Sequence, residues 1–311
     1  MRLINSGLEI LEQQPGLDGM YKQIELAGRT CYKSEDKITE DSAKAFVDRM
    51  IKSRHGAVLE HGTVYLKITK DNSNIPPAML FWRNGNKYSK VVQQDDVYYV
   101  TTNFRVIIEN NRLDDLQYIC EPTEYHEKRI TVKWTCDRGI LAEFTRHRTF
   151  SFAAESTRYC NYSKNKFGNG LTFIIPSWVD DISNNTVLNG LEETFNFVYS
   201  DLTKQEVKLK VSEYTKTFLY TAINSELGYL NLIENGYKPQ QARQVLPNAL
   251  KTELVMTGLL SDWIHFFELR CAPSAHPDAQ KLAKELLVKL NEMYPGKFDE
   301  LYNKYINHDG E

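Results

Sequence analysis

An α+β fold, an antiparallel sheet flanked by helices with a helix-rich C-terminal half, is what the order of patterns along the chain predicts. Apolar residues at helical spacing come first, alternating runs of β-branched and aromatic residues follow, and helical spacing dominates again from residue 183 onward. With 311 residues and 41% hydrophobic content there is enough apolar side chain for a sizeable core. No repeat, low-complexity tract or clear linker divides the sequence, so residues 1–311 are expected to form a single domain.

Taken in order, residues 19–32 and 39–54 carry apolar side chains at helical spacing. Residues 63–69 (TVYLKIT), 97–110 (VYYVTTNFRVIIEN) and 129–136 (RITVKWTC) alternate apolar and polar positions and predict strands. Between the first two, residues 71–96 are polar and read as a long turn or excursion. Ile140, Leu141, Phe144 and Thr145 form the stripe of a short helix. Residues 203–235 suit one extended or broken helix, Pro239 suits the first turn of the next, and Pro247 ends it. Residues 251–270, with Leu254, Val255, Leu259, Trp263, Phe266 and Phe267, predict a further helix, and 278–293 a last amphipathic one.

The formal net charge of −3 argues against a general nucleic-acid binder, yet residues 127–166 hold nine Lys or Arg against four acids. A local positive field in an acidic protein suits a small anion in a cleft better than a long polyanion. No stretch has the order of a signal peptide and no run approaches a membrane span, so a cytoplasmic location and no membrane partner are expected. The five cysteines, Cys31, Cys120, Cys136, Cys160 and Cys271, include no C-x-x-C pair, and indicate neither a disulfide framework nor a zinc site. His55 and His61 stand six residues apart with no third ligand in a useful position, and no metal site is expected. Neither G-x-G-x-x-G nor G-x-x-x-x-G-K-[ST] occurs, so phosphate recognition falls to side chains.

Those side chains are concentrated in RHRTFSFAAESTRY. Arg146, His147, Arg148, Ser151, Ser156 and Arg158 fall within 13 residues of one another. Arginine offers a planar fork that meets phosphate two bonds at a time, and a serine hydroxyl supplies a further contact. A solvated basic face is the plainer alternative. The apolar stripe just before it puts these arginines at the end of a buried helix, not along its exposed side. His147, between two arginines, has its cationic form disfavoured and suits a neutral hydrogen-bond donor. Arg243 and Arg270 lie in mostly apolar helical contexts and each needs a partner, for which an internal carboxylate such as Glu268 or Asp262 could serve. For His265 an ordinary core position is the alternative to ligand binding.

The RHR triplet followed after seven residues by Ser156-x-Arg158-Tyr159 resembles the signature of the flavin-dependent thymidylate synthases, also called thymidylate synthase complementing proteins. Further landmarks of that family recur in chain order: Ala27-Gly28-Arg29-Thr30-Cys31-Tyr32, His55, Glu60-His61, Ala242-Arg243-Gln244-Val245-Leu246-Pro247, and Phe267-Glu268-Leu269-Arg270 with His276. The resemblance runs from about residue 20 to about 290, and residues 72–128 look like an insertion.

It implies conversion of dUMP to dTMP, with methylenetetrahydrofolate as carbon donor, NADPH as reductant and FAD as redox carrier, in a homotetramer whose flavin sites lie between subunits. By the same resemblance Glu143, Arg146, Ser156, Arg158, Arg243 and Arg270 would bind dUMP, and His55, Arg146, His147, Arg148 and His265 would bind FAD. Arg270 would be catalytic, stabilising negative charge on the pyrimidine. Departures gather on the flavin side: Ala153-Ala154 stand where many members have a polar pair, with Glu155 as a substitute partner. Ala57, Leu259 and Ser261 stand where others have a threonine, an asparagine and an arginine, and Glu143 where some have glutamine. Two other classes fit the basic segment: a nucleotide-binding or regulatory protein of the same fold without flavin chemistry, and a nucleic-acid binder whose affinity would fall steeply with salt.

Overall fold

Two short strands, β1 (Arg2–Ile4) and β2 (Gly7–Leu11), precede the first helix and are too brief to stand out in the sequence. The computed structural model describes residues 1–70, 76–188, 198–200, 206–207 and 211–307. The two predicted N-terminal helices follow as α1 (Gly16–Tyr32) and α2 (Ser42–Lys52), then a single turn, α3 (Gly56–Leu59). Gly28 lets these three meet: a Cβ there would lie 2.4 Å from the Phe46 ring and 2.9 Å from a Val58 methyl. A side chain at this position would hold the helices apart.

Strand β3 (Thr63–Thr69) has the predicted limits, because one of its faces is buried and the other is not. Residues 71–75 lie outside the described residues. The rest of the supposed excursion is ordered as α4 (Pro77–Arg83) and β4 (Lys90–Gln94), which pairs with β5 (Val97–Asn103). The strand expected over 97–110 stops at Asn103, whose side chain accepts from the Val106 amide at 3.2 Å and caps α5 (Phe104–Glu109). That cap outweighs the β-branched content beyond it. The antiparallel sheet β3-β5-β4 packs with α1, α2, α4 and α5 around Phe46, Trp82, Val100 and Ile107.

The central sheet contains β6 (Arg129–Asp137), followed by α6 (Arg138–Phe144) and β7 (Ser151–Ala154). A third sheet combines β1 with β8 (Thr172–Ile174), β9 (Thr186–Val187), β10 (Val198–Ser200) and β11 (Glu206–Val207). Its β1–β8 pair is parallel. Residues 203–205 and 208–210 of the predicted 203–235 helix lie outside the described residues, and the helix is α7 (Glu213–Glu234), capped by Ser212. As predicted, Pro239 opens α8 (Pro239–Ala242).

The helix expected over 251–270 is instead two elements: β12 (Lys251–Leu259) and α9 (Leu260–Arg270). Strand β12 lies inside the antiparallel sheet β2-β6-β12-β7 and is buried on both faces along seven consecutive residues, Thr252 to Gly258. Burial on both sides erases the alternation that marks a strand in sequence. Helices α6, α9 and α10 (Pro277–Met293) cover one face of this sheet, around Trp134, Phe144, Trp263 and Phe266. A final turn, α11 (Asp299–Tyr302), packs its Leu301 there too. On the other face Ala27 of α1 meets Ala153 and Val255.

At the Lys251 end of the sheet, Glu253 is the centre of an ion cluster. Lys33 lies 2.9 Å from it, Lys133 2.8 Å and Lys251 2.6 Å. Those three cations hold its carboxyl well below the ordinary range in spite of its burial.

Candidate functional site

The Arg146-His147-Arg148 turn is set by what anchors α6. Asp137 caps the helix, accepting from the Ile140 amide at 2.8 Å, and Phe144 seats its ring 4.9 Å from Trp134 and 5.1 Å from Phe266. The chain then turns: the His147 amide donates to the Phe144 carbonyl at 3.2 Å, and β7 begins four residues later at Ser151. This geometry buries His147 and leaves Arg146 and Arg148 exposed. Among the described residues, neither exposed guanidinium makes a hydrogen bond or an ion pair.

Arg270 closes the first group. Its Nε donates to His147 Nε2 at 3.0 Å, its Nη1 to Glu143 Oε2 at 2.5 Å and its Nη2 to the Glu143 carbonyl at 2.7 Å. His147 therefore accepts at Nε2 and carries its proton on Nδ1. Burial, then the charges of Arg270 and His265, lower it to about 4, so it is neutral near pH 7. The expectation of a neutral His147 holds, with Arg270 and not the flanking arginines as the neighbouring cation. His265, 6.2 Å from His147 between ring centroids, is exposed and reaches Glu268 at 3.5 Å, so it is no core histidine. The internal carboxylate facing Arg270 is neither Glu268 nor Asp262. Asp262 is spent on the Leu259 amide at 2.9 Å, and Glu143 takes the role.

The second group forms where β7 leaves the sheet. The Ser156 amide donates to the Cys31 carbonyl at 3.0 Å, tying this turn to the end of α1. Ser156 Oγ accepts from the Arg158 amide at 3.3 Å, and the Arg243 Nη1 donates to Thr157 Oγ1 at 3.3 Å. Arg158 is exposed over the Tyr159 ring at 5.5 Å, without an acidic partner among the described residues. Tyr159 packs 5.3 Å from Tyr32, whose hydroxyl is 3.3 Å from His55 Nδ1. Ser156, Arg158, Arg243 and His55 are thus drawn together, as are Glu143, His147, His265 and Arg270. No hydrogen bond, ion pair or ring contact among the described residues joins the two groups, and β7 runs between them.

Thr157, Tyr32 and Tyr159 are members of these groups that motif reading left without roles. Thr157 and Tyr159 flank Arg158, and Tyr32 and Tyr159 end two of the quoted landmarks, which is the signal the sequence offers for them. Three further expectations change. Ser151 is buried and 3.4 Å from the Arg129 guanidinium, so it faces inward and not toward a ligand. Glu155 cannot stand in for a lost polar partner, since its carboxylate accepts from Tyr162 at 3.0 Å and Lys251 at 2.9 Å. Ala153 is a packing residue against α1. A cavity of about 620 Å³ has Lys33, Glu155, Lys166 and Lys251 in its lining.

Cys160, in the middle of the basic segment, is buried, and burial reinforced by Glu155 pushes its thiol up to about 12. It remains a thiol at neutral pH. Among the described residues no three His, Cys, Asp or Glu side chains group to hold a metal, and no helix is long and apolar enough to cross a membrane.

A family model described as thymidylate synthase complementing protein matches residues 122–296. The flavin-dependent thymidylate synthase of Mycobacterium tuberculosis is 27% identical over 161 residues, 52% of this chain and 56% of that protein. The match therefore spans little more than half the length of the mycobacterial relatives. The protein of the same description from Corynebacterium aurimucosum is 23% identical over 283 residues, 90% of this chain and 79% of its own. A solved structure of a UMP/dUMP methylase from Streptomyces cacaoi bound with 5-Br dUMP aligns over 98% of both chains at 16% identity, with a TM-score of 0.44.

Proposed function

Because the chain belongs to the thymidylate synthase complementing protein family, we propose that it converts dUMP to dTMP, with methylenetetrahydrofolate as carbon donor, NADPH as reductant and FAD as redox carrier. One observation carries the reading: Arg146, Arg148 and Arg158 extend guanidiniums with no acidic partner among the described residues, in a chain whose net charge is −3. Cations left uncompensated in an acidic protein are suited to an anionic ligand.

The donor set suits both a nucleotide and a flavin dinucleotide. Arg158, Ser156 and Arg243 hold the dUMP phosphate, with Arg146 completing the contacts, while Glu143, which the resemblance also puts at the nucleotide, stands there as the ion-pair partner of Arg270. Arg146, Arg148, His55, His147 and His265 hold FAD, two guanidiniums answering a pyrophosphate and His147 offering a neutral Nδ1–H. When bound, the flavin supplies the hydride chemistry. The protein's own part is to orient the pyrimidine beside Arg270, whose fixed charge favours negative charge on the ring. A Cys160 thiol held protonated supports a route without an enzyme thiolate attacking the base.

The separation of the two residue groups by β7 supports a homotetramer in which each site draws on more than one subunit. Residues 72–128 are read as an insertion in one domain, and the protein as cytoplasmic, with small-molecule partners and neither nucleic acid nor membrane. The test is an absorbance spectrum of the purified protein together with a dUMP-dependent assay for dTMP. Flavin bands and dTMP that requires NADPH and methylenetetrahydrofolate are expected. A colourless protein that binds dUMP, ignores added FAD and makes no dTMP would instead be the nucleotide-binding relative.

A further inference from the structure

Arg270 differs from the other arginines of the site in being neutralised from within. Arg146, Arg148 and Arg158 have no acidic partner among the described residues, and Arg243 has only a hydroxyl. Arg270 has the Glu143 carboxylate at 2.5 Å. It is also the last residue of α9, and its Nη2 meets a carbonyl in the last turn of α6. The last turn of α6 thus presents a main-chain carbonyl to this guanidinium. The pair is not sealed in the core: the Arg270 side chain is 16% exposed and that of Glu143 34%. Of the five N–H groups of the guanidinium, three are used among the described residues, and one on each Nη remains.

We propose that Glu143 is an internal counter-ion that competes with the nucleotide for Arg270, so that it sets how tightly this chain holds the pyrimidine. The His147 and main-chain bonds hold the guanidinium plane in position without cancelling its charge. Only the carboxylate cancels it. A ligand drawing on Arg270 must work against an ion pair that is already made, whereas a neutral acceptor at position 143 would keep the geometry and leave the charge available. This rests on the reading of Arg270 as the residue beside the pyrimidine.

Glu143→Gln is the test, because the amide oxygen still accepts from Nη1. Binding of dUMP and of uncharged deoxyuridine is measured by ligand-observed NMR and calorimetry on the wild-type and variant proteins, with circular dichroism to establish that the variant is folded. Glu143→Ala serves as a second substitution. Both nucleotide and nucleoside are expected to bind at least about tenfold more tightly to Glu143→Gln. Equal or weaker binding of dUMP by the folded variants, with the wild type still binding it, would overturn the proposal and leave the dUMP reading intact. A gain confined to dUMP would also overturn it, since Glu143 would then act by long-range repulsion of the phosphate and not through Arg270. If neither protein bound dUMP, the underlying reading would fail and this proposal with it.

Discussion

Arg158 and Arg270 carry the same guanidinium into different surroundings, and substitution should separate them. Arg158 is exposed and, among the described residues, its side chain is held only by the Tyr159 ring. Arg158→Ala is expected to weaken dUMP binding by about 1.5 to 3 kcal/mol, the worth of a charge-assisted contact, in a calorimetric titration. Arg270 is held at three points, and no lysine can reach His147, the Glu143 carboxylate and the Glu143 carbonyl at once. Arg270→Lys should therefore lower turnover more than affinity in steady-state kinetics; similar mild losses from both changes would argue against this division. Cys160→Ser should leave dTMP formation largely intact, because a thiol pushed up to about 12 is not a nucleophile at neutral pH. A covalent dUMP adduct at Cys160, found by mass spectrometry, would contradict it. The arginines themselves were legible because they lie in one short stretch. The Glu143–Arg270 pair was not: the two are 127 residues apart, and Glu268 and Asp262 were nearer in sequence.

Among the elements, Gly28 ties a motif to packing. The family landmark around it is accounted for by contact between α1, α2 and α3, with Arg29 paired to Glu25 at 2.9 Å and stacked 4.9 Å from Phe46. Gly28→Ala would press a methyl into the Phe46 ring, and a loss of about 1 to 3 kcal/mol is expected in urea unfolding, as for other overpacked cores. Strands with one solvated face, such as β3, could be read from their alternation. Strand β12 (KTELVMTGL) could not, because its neighbours bury both faces and its apolar residues do not alternate with polar ones, a pattern that fits a helix as well as a central strand. The end of β5 was missed for a local reason: a single Asn103 cap decides it.

For the molecule as a whole, buried histidines shape the acid limb of stability: burial lowers His126, and His61 and His147 are shifted further. His61 is lowered from 6.5 to about 3 by burial and by Arg129, and His147 to about 4. Below pH 6.5 the unfolded chain binds protons at these positions that the folded chain refuses. Their contribution is complete above that pH and is lost as pH falls through 4 and then 3. His61→Asn, which keeps an acceptor or donor for Thr257, should flatten the dependence of Tm on pH across this range; an unchanged slope would remove His61 from the account. The flavin side supplies another whole-protein expectation. On the reading that FAD binds here, Ala153, Ala154, Leu259 and Ser261 would leave two or three hydrogen bonds of roughly 0.5 to 1.5 kcal/mol each unmade. Substoichiometric FAD on purification, with affinity reduced by about one to three orders of magnitude, is expected in a fluorescence titration. Tight stoichiometric binding would mean that other residues make the contacts.

The ion cluster at the Lys251 end of the central sheet has an evolutionary consequence. All three lysines meet Glu253, whereas no lysine meets all three acids of the cluster: Glu35 lies 3.0 Å from Lys33 and 3.9 Å from Lys133, and Glu155 2.9 Å from Lys251. Loss of Glu253 breaks three ion pairs at once, and loss of any one lysine breaks two. Mutational tolerance is therefore lopsided: drift at a lysine leaves Glu253 paired, while a change at Glu253 strips a partner from every lysine.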